Sequence, residues 1–212
     1  MRVRRGPRYD WLWQSAGGGS PRLSSYGFSD VRNFGMSTGA VPCSSSTSAE
    51  SVSAGSLDLS AIPLSLHEQA MRLAIAAARA NPFFPFGAVI VRAADREVMA
   101  TGVNNRSANP SFHGEIVAIH DYVARHGNRG WEEVLLYTTG EPCPMCMSTL
   151  VWARIGGVVY GTSIEKLQQF GIEQILLPAT AVIAAAPFYQ GQVLGRVLEA
   201  ETDALFANRQ RR

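Results

Sequence analysis

The sequence predicts one α/β domain, a sheet with helices packed on its faces, behind a low-complexity tail. Two observations carry this. From Gly87 onward, strand-like and helix-like stretches alternate, the pattern of a sheet flanked by helices. Residues 1–60 are instead rich in Gly, Ser, Pro and Thr, with the runs Gly17-Gly18-Gly19 and Ser44-Ser45-Ser46, and hold no sustained apolar period. Such a stretch cannot bury enough surface to offset its conformational entropy, so it is expected to be disordered, with the domain over residues 61–212. No apolar run approaches the roughly 18 residues of a membrane span. The longest candidates, Leu73 to Ala78 and Ala181 to Phe188, are short and Ala-rich.

In the tail, Arg4-Arg5 lacks the apolar segment that a twin-arginine export signal needs. Met36, at the end of the basic stretch, is the expected point of translation start. Order is expected to begin near Ser65, where Ser65-Leu66-His67-Glu68 spells a capping box. Leu66, Ala70, Met71, Leu73, Ala74, Ala77 and Ala78 then recur at helical spacing, and Pro82 ends the helix. Gly87 to Arg92 and Val98 to Val103, joined by the polar Ala93 to Arg96, read as a strand hairpin.

A polar loop, Asn104 to Phe112, leads into a helix from His113 to about Arg125. Val134 to Thr139 reads as a strand, Cys143 to Trp152 as a helix, Gly157 to Tyr160 as a strand, and Ile164 to Phe170 as a helix. Beyond residue 175 come a short apolar run and the segment Pro187-Phe188-Tyr189-Gln190. A last helix is expected from Leu194 to Asn208, its Arg-rich end a solvated cluster or a phosphate contact.

The chain has 212 residues, 46% of them hydrophobic and 17% charged, with a net charge of +2. That charge belongs to the tail: residues 1–35 hold six Arg against Asp10 and Asp30, leaving 13 basic and 15 acidic residues in 36–212. The domain therefore lacks the broad positive field of sequence-independent nucleic-acid binding. The three cysteines, Cys43, Cys143 and Cys146, do not make a disulfide framework. A reducing compartment, the cytoplasm, is expected.

Two segments stand apart from the scaffold. His113-Gly114-Glu115 opens one helix, and Pro142-Cys143-Pro144-Met145-Cys146 opens another 30 residues later. Imidazole nitrogen and thiolate sulfur are ligands that Zn²⁺ favours, and Cys-x-x-Cys at a helix start lets both sulfurs face one point. Three ligands with an open fourth position describe a catalytic rather than a structural zinc. Glu115, two residues after His113, is the candidate proton shuttle. Alone, the Cys-x-x-Cys would also suit a redox dithiol, and a zinc-stabilised scaffold without turnover would suit the ligands. The combination of His-x-Glu with Pro-Cys-x-x-Cys is the general signature of zinc deaminases.

From about Ser65 to Asn208 the chain resembles the cytidine-deaminase-like superfamily, within it the guanine deaminase and tRNA adenosine deaminase branch. The resemblance rests on Gly140-Glu141-Pro142-Cys143-Pro144-Met145-Cys146, on Trp152-Ala153-Arg154-Ile155, and on Pro85-Phe86-Gly87-Ala88-Val89-Ile90-Val91. It implies a three-layer α/β/α sandwich around a mixed sheet, zinc held between two helix N-termini, and a homodimer. It also implies hydrolysis of an exocyclic amine on a purine-type base, guanine first.

By the same resemblance Asn104 hydrogen-bonds the base, Phe86 packs on it, and Tyr189, in a segment similar to one that closes guanine deaminase sites, its own or a neighbouring subunit's, touches it. Glu173 is placed to read a guanine amino group. The chain departs from the family pattern at Gly114, where alanine is usual, at Asn109-Pro110, and at Gln174, which replaces the second acid of an expected pair. A tRNA adenosine deaminase, or a deaminase of another free base or nucleoside, is the alternative reading.

Overall fold

The computed structural model describes residues 57–211. The expectations for residues 1–56, including the export signal and the start at Met36, lie outside the described residues. Within the range the chain is already structured before Ser65. Leu59–Ala61 forms a 3-10 turn whose Leu59 is buried. The Leu59 amide donates to Gln192 Oε1 at 3.0 Å. Its carbonyl lies 3.0 Å from Nε2 of the buried His67, which must be the donor, so His67 Nδ1 accepts from the Tyr137 hydroxyl at 2.9 Å.

Helix α1 spans Leu64–Ala78, and its N-cap is Pro63 rather than Ser65. Pro63, at φ −53° and ψ 135°, turns the chain into the helix, its carbonyl accepting from the Leu66 amide at 2.9 Å. The expected capping box therefore does not form. Glu68 instead meets Arg72, one turn on, at 3.6 Å.

Strands β1 (Gly87–Arg92) and β2 (Val98–Val103) form the expected hairpin, with a register shift between Ile90 and Val91. Helix α2 (Gly114–His126), strand β3 (Val134–Gly140), helix α3 (Pro144–Ala153), strand β4 (Gly157–Thr162) and helix α4 (Ile164–Gln169) follow. With β5 at Gln192–Leu194, the sheet has the order β2-β1-β3-β4-β5. β1 runs antiparallel to both β2 and β3, while β3, β4 and β5 (Gln192–Leu194) are parallel, so the sheet is mixed.

Alternation along the strands builds two cores. Ala88, Ile90, Leu136 and Val158 face one side, with Ala118 and Tyr122 of α2 and Met147, Leu150 and Val151 of α3. Val89, Val91, Leu135, Tyr137 and Val159 face the other, with Met71, Ala74 and Ile75 of α1. Helices on both faces of a mixed sheet make the three-layer α/β/α sandwich. Gly102 sets how closely α2 lies on β2: a Cβ there would collide with the Gly114 carbonyl and the Ala118 amide. That close approach brings the start of α2 down onto the sheet.

The end of the chain differs from expectation. The apolar run after residue 175 folds as a short helix, α5 (Ala179–Ala184). The helix expected from Leu194 is replaced by β5 and a shorter α6 (Glu199–Ala207). Arg196 (φ 66°) and Leu198 (φ 53°) adopt the left-handed region, which interrupts any helix through them. At the far end, Arg209 donates to the carbonyls of Phe206 (3.0 Å) and Gly171 (3.3 Å), a helix-ending contact. No helix among the described residues is long and apolar enough to cross a membrane.

Candidate active site

The site grows from two helix starts. His113 is the N-cap of α2 (φ −69°, ψ 161°) and Cys143 the N-cap of α3 (φ −61°, ψ 164°), with Pro144 at the first helical position. Extended backbone followed by proline is an ordinary way to begin a helix. Neither side chain makes a capping hydrogen bond. Instead both turn toward Cys146, one turn into α3.

His113 Nδ1 lies 3.5 Å from Cys143 Sγ and 3.6 Å from Cys146 Sγ, and the two sulfurs are 3.7 Å apart. A tetrahedral zinc with ordinary bond lengths needs its S···S edge near about 3.8 Å and its N···S edges near about 3.5 Å. The donor triangle therefore fits zinc in chemistry and in size. Among the described residues this is the group of His, Cys and acidic side chains able to hold a metal.

Glu115, in the first turn of α2, is 2% exposed, and its Oε2 has no hydrogen-bond partner. Burial pushes its carboxyl up to about 7. The Cys143 thiol is pulled down to about 4, first by the Cys146 thiol and, against the cost of burial, by the His113 imidazole. Cys146, in contact with the Cys143 sulfur and deeply buried, is pushed well up. His113 is raised, chiefly by its contact with Cys143. Of the two sulfurs Cys143 is thus the readier to carry charge, and Glu115 the readier to keep its proton.

Asn104 is buried at the end of β2, its amide donating to the Phe86 carbonyl at 2.9 Å. Its Oδ1 accepts from the Arg106 amide at 3.3 Å, which leaves the Nδ2 group as its donor. Gly114 closes this corner: a Cβ there would stand 2.7 Å from the Phe86 carbonyl oxygen, so backbone meets backbone at this position. The Phe86 ring packs on Phe206 at 4.8 Å between centroids, beside Gly140 and Leu167. Glu173 is exposed, one residue after Ile172 of that same apolar cluster.

The structure does not bring Tyr189 to the site. It is buried, and its hydroxyl donates to the Ile155 carbonyl at 2.8 Å. Ile155 follows the far end of α3, about 15 Å of helix away from Cys143. The apolar core at that end holds the ring.

Two residues gain a role that the motifs alone do not give. Glu141, buried between β3 and Cys143, accepts the Ile164 amide and the Ala179 amide, both at 2.9 Å. It ties the starts of α4 and α5 to the loop that delivers the cysteines. Arg106 lies over the Phe84 ring at 4.6 Å, and its charge is felt at His113. A Glu directly before Pro-Cys, and an Arg in the loop before His113, were the signals available.

The profile of the "Cytidine and deoxycytidylate deaminase zinc-binding region" matches residues 64–162. The chain is 33% identical to the guanine deaminase of Bacillus subtilis (strain 168) over 129 residues, 58% of this chain and 81% of that protein. It is 39% identical over 84 residues to a tRNA-specific adenosine deaminase of Streptococcus pyogenes serotype M18, covering 39% of this chain and 52% of that one. Among solved structures, the guanine deaminase from Nitrosomonas europaea superposes with a TM-score of 0.58 at 21% identity, over 66% of this chain and 84% of its own. A structure from work on A-to-I editing by tRNA:A34 deaminases gives 0.53 at 26% identity, over 65% and 98%. The fold, the His-Cys-Cys triangle and the span of the bacterial relative converge: this chain belongs to the cytidine and deoxycytidylate deaminase family and is a zinc-dependent hydrolytic deaminase.

Proposed function

We propose that the protein deaminates guanine, releasing ammonia and leaving xanthine, and that it acts as a homodimer. The observation that carries the substrate is the reach of the likeness, which runs through 81% of the Bacillus guanine deaminase but about half of the Streptococcus tRNA deaminase. The charge of residues 36–212 agrees, since 13 basic against 15 acidic residues offer no general field for RNA.

His113, Cys143 and Cys146 hold the metal. Zinc supplies there a water that ionises near neutral pH. Glu115 moves the protons: its buried carboxylate takes one from the attacking water and passes it to the ring nitrogen. Once the C–O bond has formed, it carries the proton of the new hydroxyl to the amine, so that the C–N bond breaks, ammonia leaves and the C=O of the product remains. Asn104 presents its Nδ2 donor to an acceptor atom of the base, and the Phe86 cluster forms the apolar side. Glu173, exposed beside that cluster, accepts from an amino or ring N–H of guanine.

Ammonia release by zinc-loaded protein from guanine, adenine, cytosine and an anticodon stem-loop tests the substrate. Turnover of guanine is the expected result, and turnover of the RNA alone defeats it. The second reading, adenosine in a tRNA loop, draws on the 98% coverage of the tRNA:A34 deaminase structure.

A further inference from the structure

Phe86 lies between the two helix starts that carry the metal ligands. Its carbonyl oxygen is 2.7 Å from where a Cβ on Gly114 would stand, next to His113, and its ring edge 2.9 Å from where one on Gly140 would stand, three residues before Cys143. Phe86 precedes β1, so hydrogen bonds outside the ladder hold it. Two are its own: its amide donates to the Phe84 carbonyl at 2.8 Å, and its carbonyl accepts from the Asn104 amide at 2.9 Å. Two more belong to the peptide groups on either side and meet at one atom, the hydroxyl oxygen of Thr139. That hydroxyl donates to the Pro85 carbonyl at 3.0 Å and accepts from the Gly87 amide at 3.1 Å. Thr139, Pro85 and Gly87 are all buried, so water does not replace either bond.

The pairing of β1 with β3 stops at Ala88 and Thr138, one step short of this place, and the hydroxyl carries the connection on. Two steps beyond that last pair, the same register sets Gly140 opposite Phe86. Glycine leaves there the space that the ring fills. A Cβ at Gly140 would stand 2.9 Å from Cε1 and 3.1 Å from Cδ1 of Phe86, too close for the ring to stay where it is. On its other side the ring rests on Phe206.

We infer that Thr139 and Gly140, the last two residues of β3, are positioning residues for the deamination, which together set where the Phe86 ring stands as the wall for the heterocycle. This rests on the proposed contact of Phe86 with the base. The Thr139 hydroxyl is engaged by Pro85 and Gly87, and Gly140 has no side chain, so both act through Phe86. The arrangement refers the base and the metal to one piece of chain, because β3 runs on through Glu141 and Pro142 to the ligand Cys143. A wall that touches the base equally before and during the reaction contributes uniform binding, so displacing it appears in KM rather than in kcat.

The test is KM and kcat of the zinc-loaded full chain for wild type, Thr139→Val, Thr139→Ser and Gly140→Ala, each alone and in a Phe86→Ala background. One zinc per chain reports that a variant is folded. Guanine is the substrate; a wild type that turns over another base instead overturns the guanine reading alone, and the same ratios are then read with that base. The expected KM is raised about tenfold in Thr139→Val and about fivefold in Gly140→Ala, with kcat within about threefold of wild type. Thr139→Ser, which keeps the hydroxyl, stays within about twofold of wild type. In the Phe86→Ala background both KM ratios fall to about one, because the side chain that transmits the effect is gone. Ratios that persist without the ring, as a merely structural role requires, overturn the inference, and so does an unchanged KM in both Thr139→Val and Gly140→Ala. If Thr139→Val does not hold zinc, Gly140→Ala decides alone, since its added methyl meets the Phe86 ring and a Leu167 methyl rather than backbone.

Discussion

Helices α2, α3 and α4 leave the chain on nearly the same backbone and use it differently. The residues before them, His113, Cys143 and Ser163, have φ of −69°, −61° and −71° and ψ of 161°, 164° and 158°. Ser163 accepts from the Lys166 amide at 3.2 Å, as an N-cap ordinarily does. His113 and Cys143 make no such bond and meet each other across the gap. The N-cap position aims a side chain at the positive end of a helix, and two such positions facing one another concentrate that field on a thiolate and its metal. The two metal-binding helices forgo about 1 kcal/mol of capping each, which the bound ion must more than offset.

The contrast can be broken most severely at the ligands. His113→Ala removes one edge of the triangle and is expected to abolish both bound zinc and turnover, by metal analysis and ammonia release. A variant that keeps stoichiometric zinc would mean that the cluster is not the metal site.

A smaller effect comes from the buried acid. A carboxyl that folding raises from 4.5 to about 7 stabilises the fold below about pH 4.5, and the contribution is lost as pH climbs through 7. For metal-free protein, Glu115→Gln should therefore gain on wild type by about 3 kcal/mol between pH 4.5 and pH 8. Denaturant titrations at the two pH values check this, and a gap that stays constant would show that Glu115 is not held in a dry pocket.

The smallest effects separate capping from ligation. Ser163→Ala should cost about 1 kcal/mol with or without zinc. Cys143→Ser, which puts a good cap where a ligand stood, should lose zinc affinity yet stabilise the metal-free chain by up to about 1 kcal/mol. Thermal unfolding with and without chelator distinguishes them; equal responses in both proteins would erase the distinction between the helix starts.

Legibility in the sequence followed the same physical divide. The hairpin strands Gly87–Arg92 and Val98–Val103 were readable because the first is an unbroken apolar run up to Arg92, as a strand buried on both faces requires, and a polar turn separates it from the second. The ligand set was readable because residue type and spacing suffice to state the chemistry. What depended on tertiary context was not. β5 has three residues and exists through its parallel pairing with β4, and α5 is too short and too uniformly apolar to show a period. The left-handed conformation falls on Arg196 and Leu198, residue types that do not announce it, and Gly195 was the local signal of a break before α6. Ser65 offered a cap by pattern, but Pro63 had already begun the helix. Tyr189 was assigned by resemblance to a site-closing segment, whereas its hydroxyl answers the Ile155 carbonyl in the core.

The central claim is that Glu115 moves protons beside a zinc that His113, Cys143 and Cys146 hold without it. Zinc content and ammonia release measured together on Glu115→Gln, with guanine as substrate, test that claim most directly. The account predicts one zinc per chain, as in wild type, and turnover lower by about 10²- to 10⁴-fold. A variant with full zinc and undiminished turnover would contradict it.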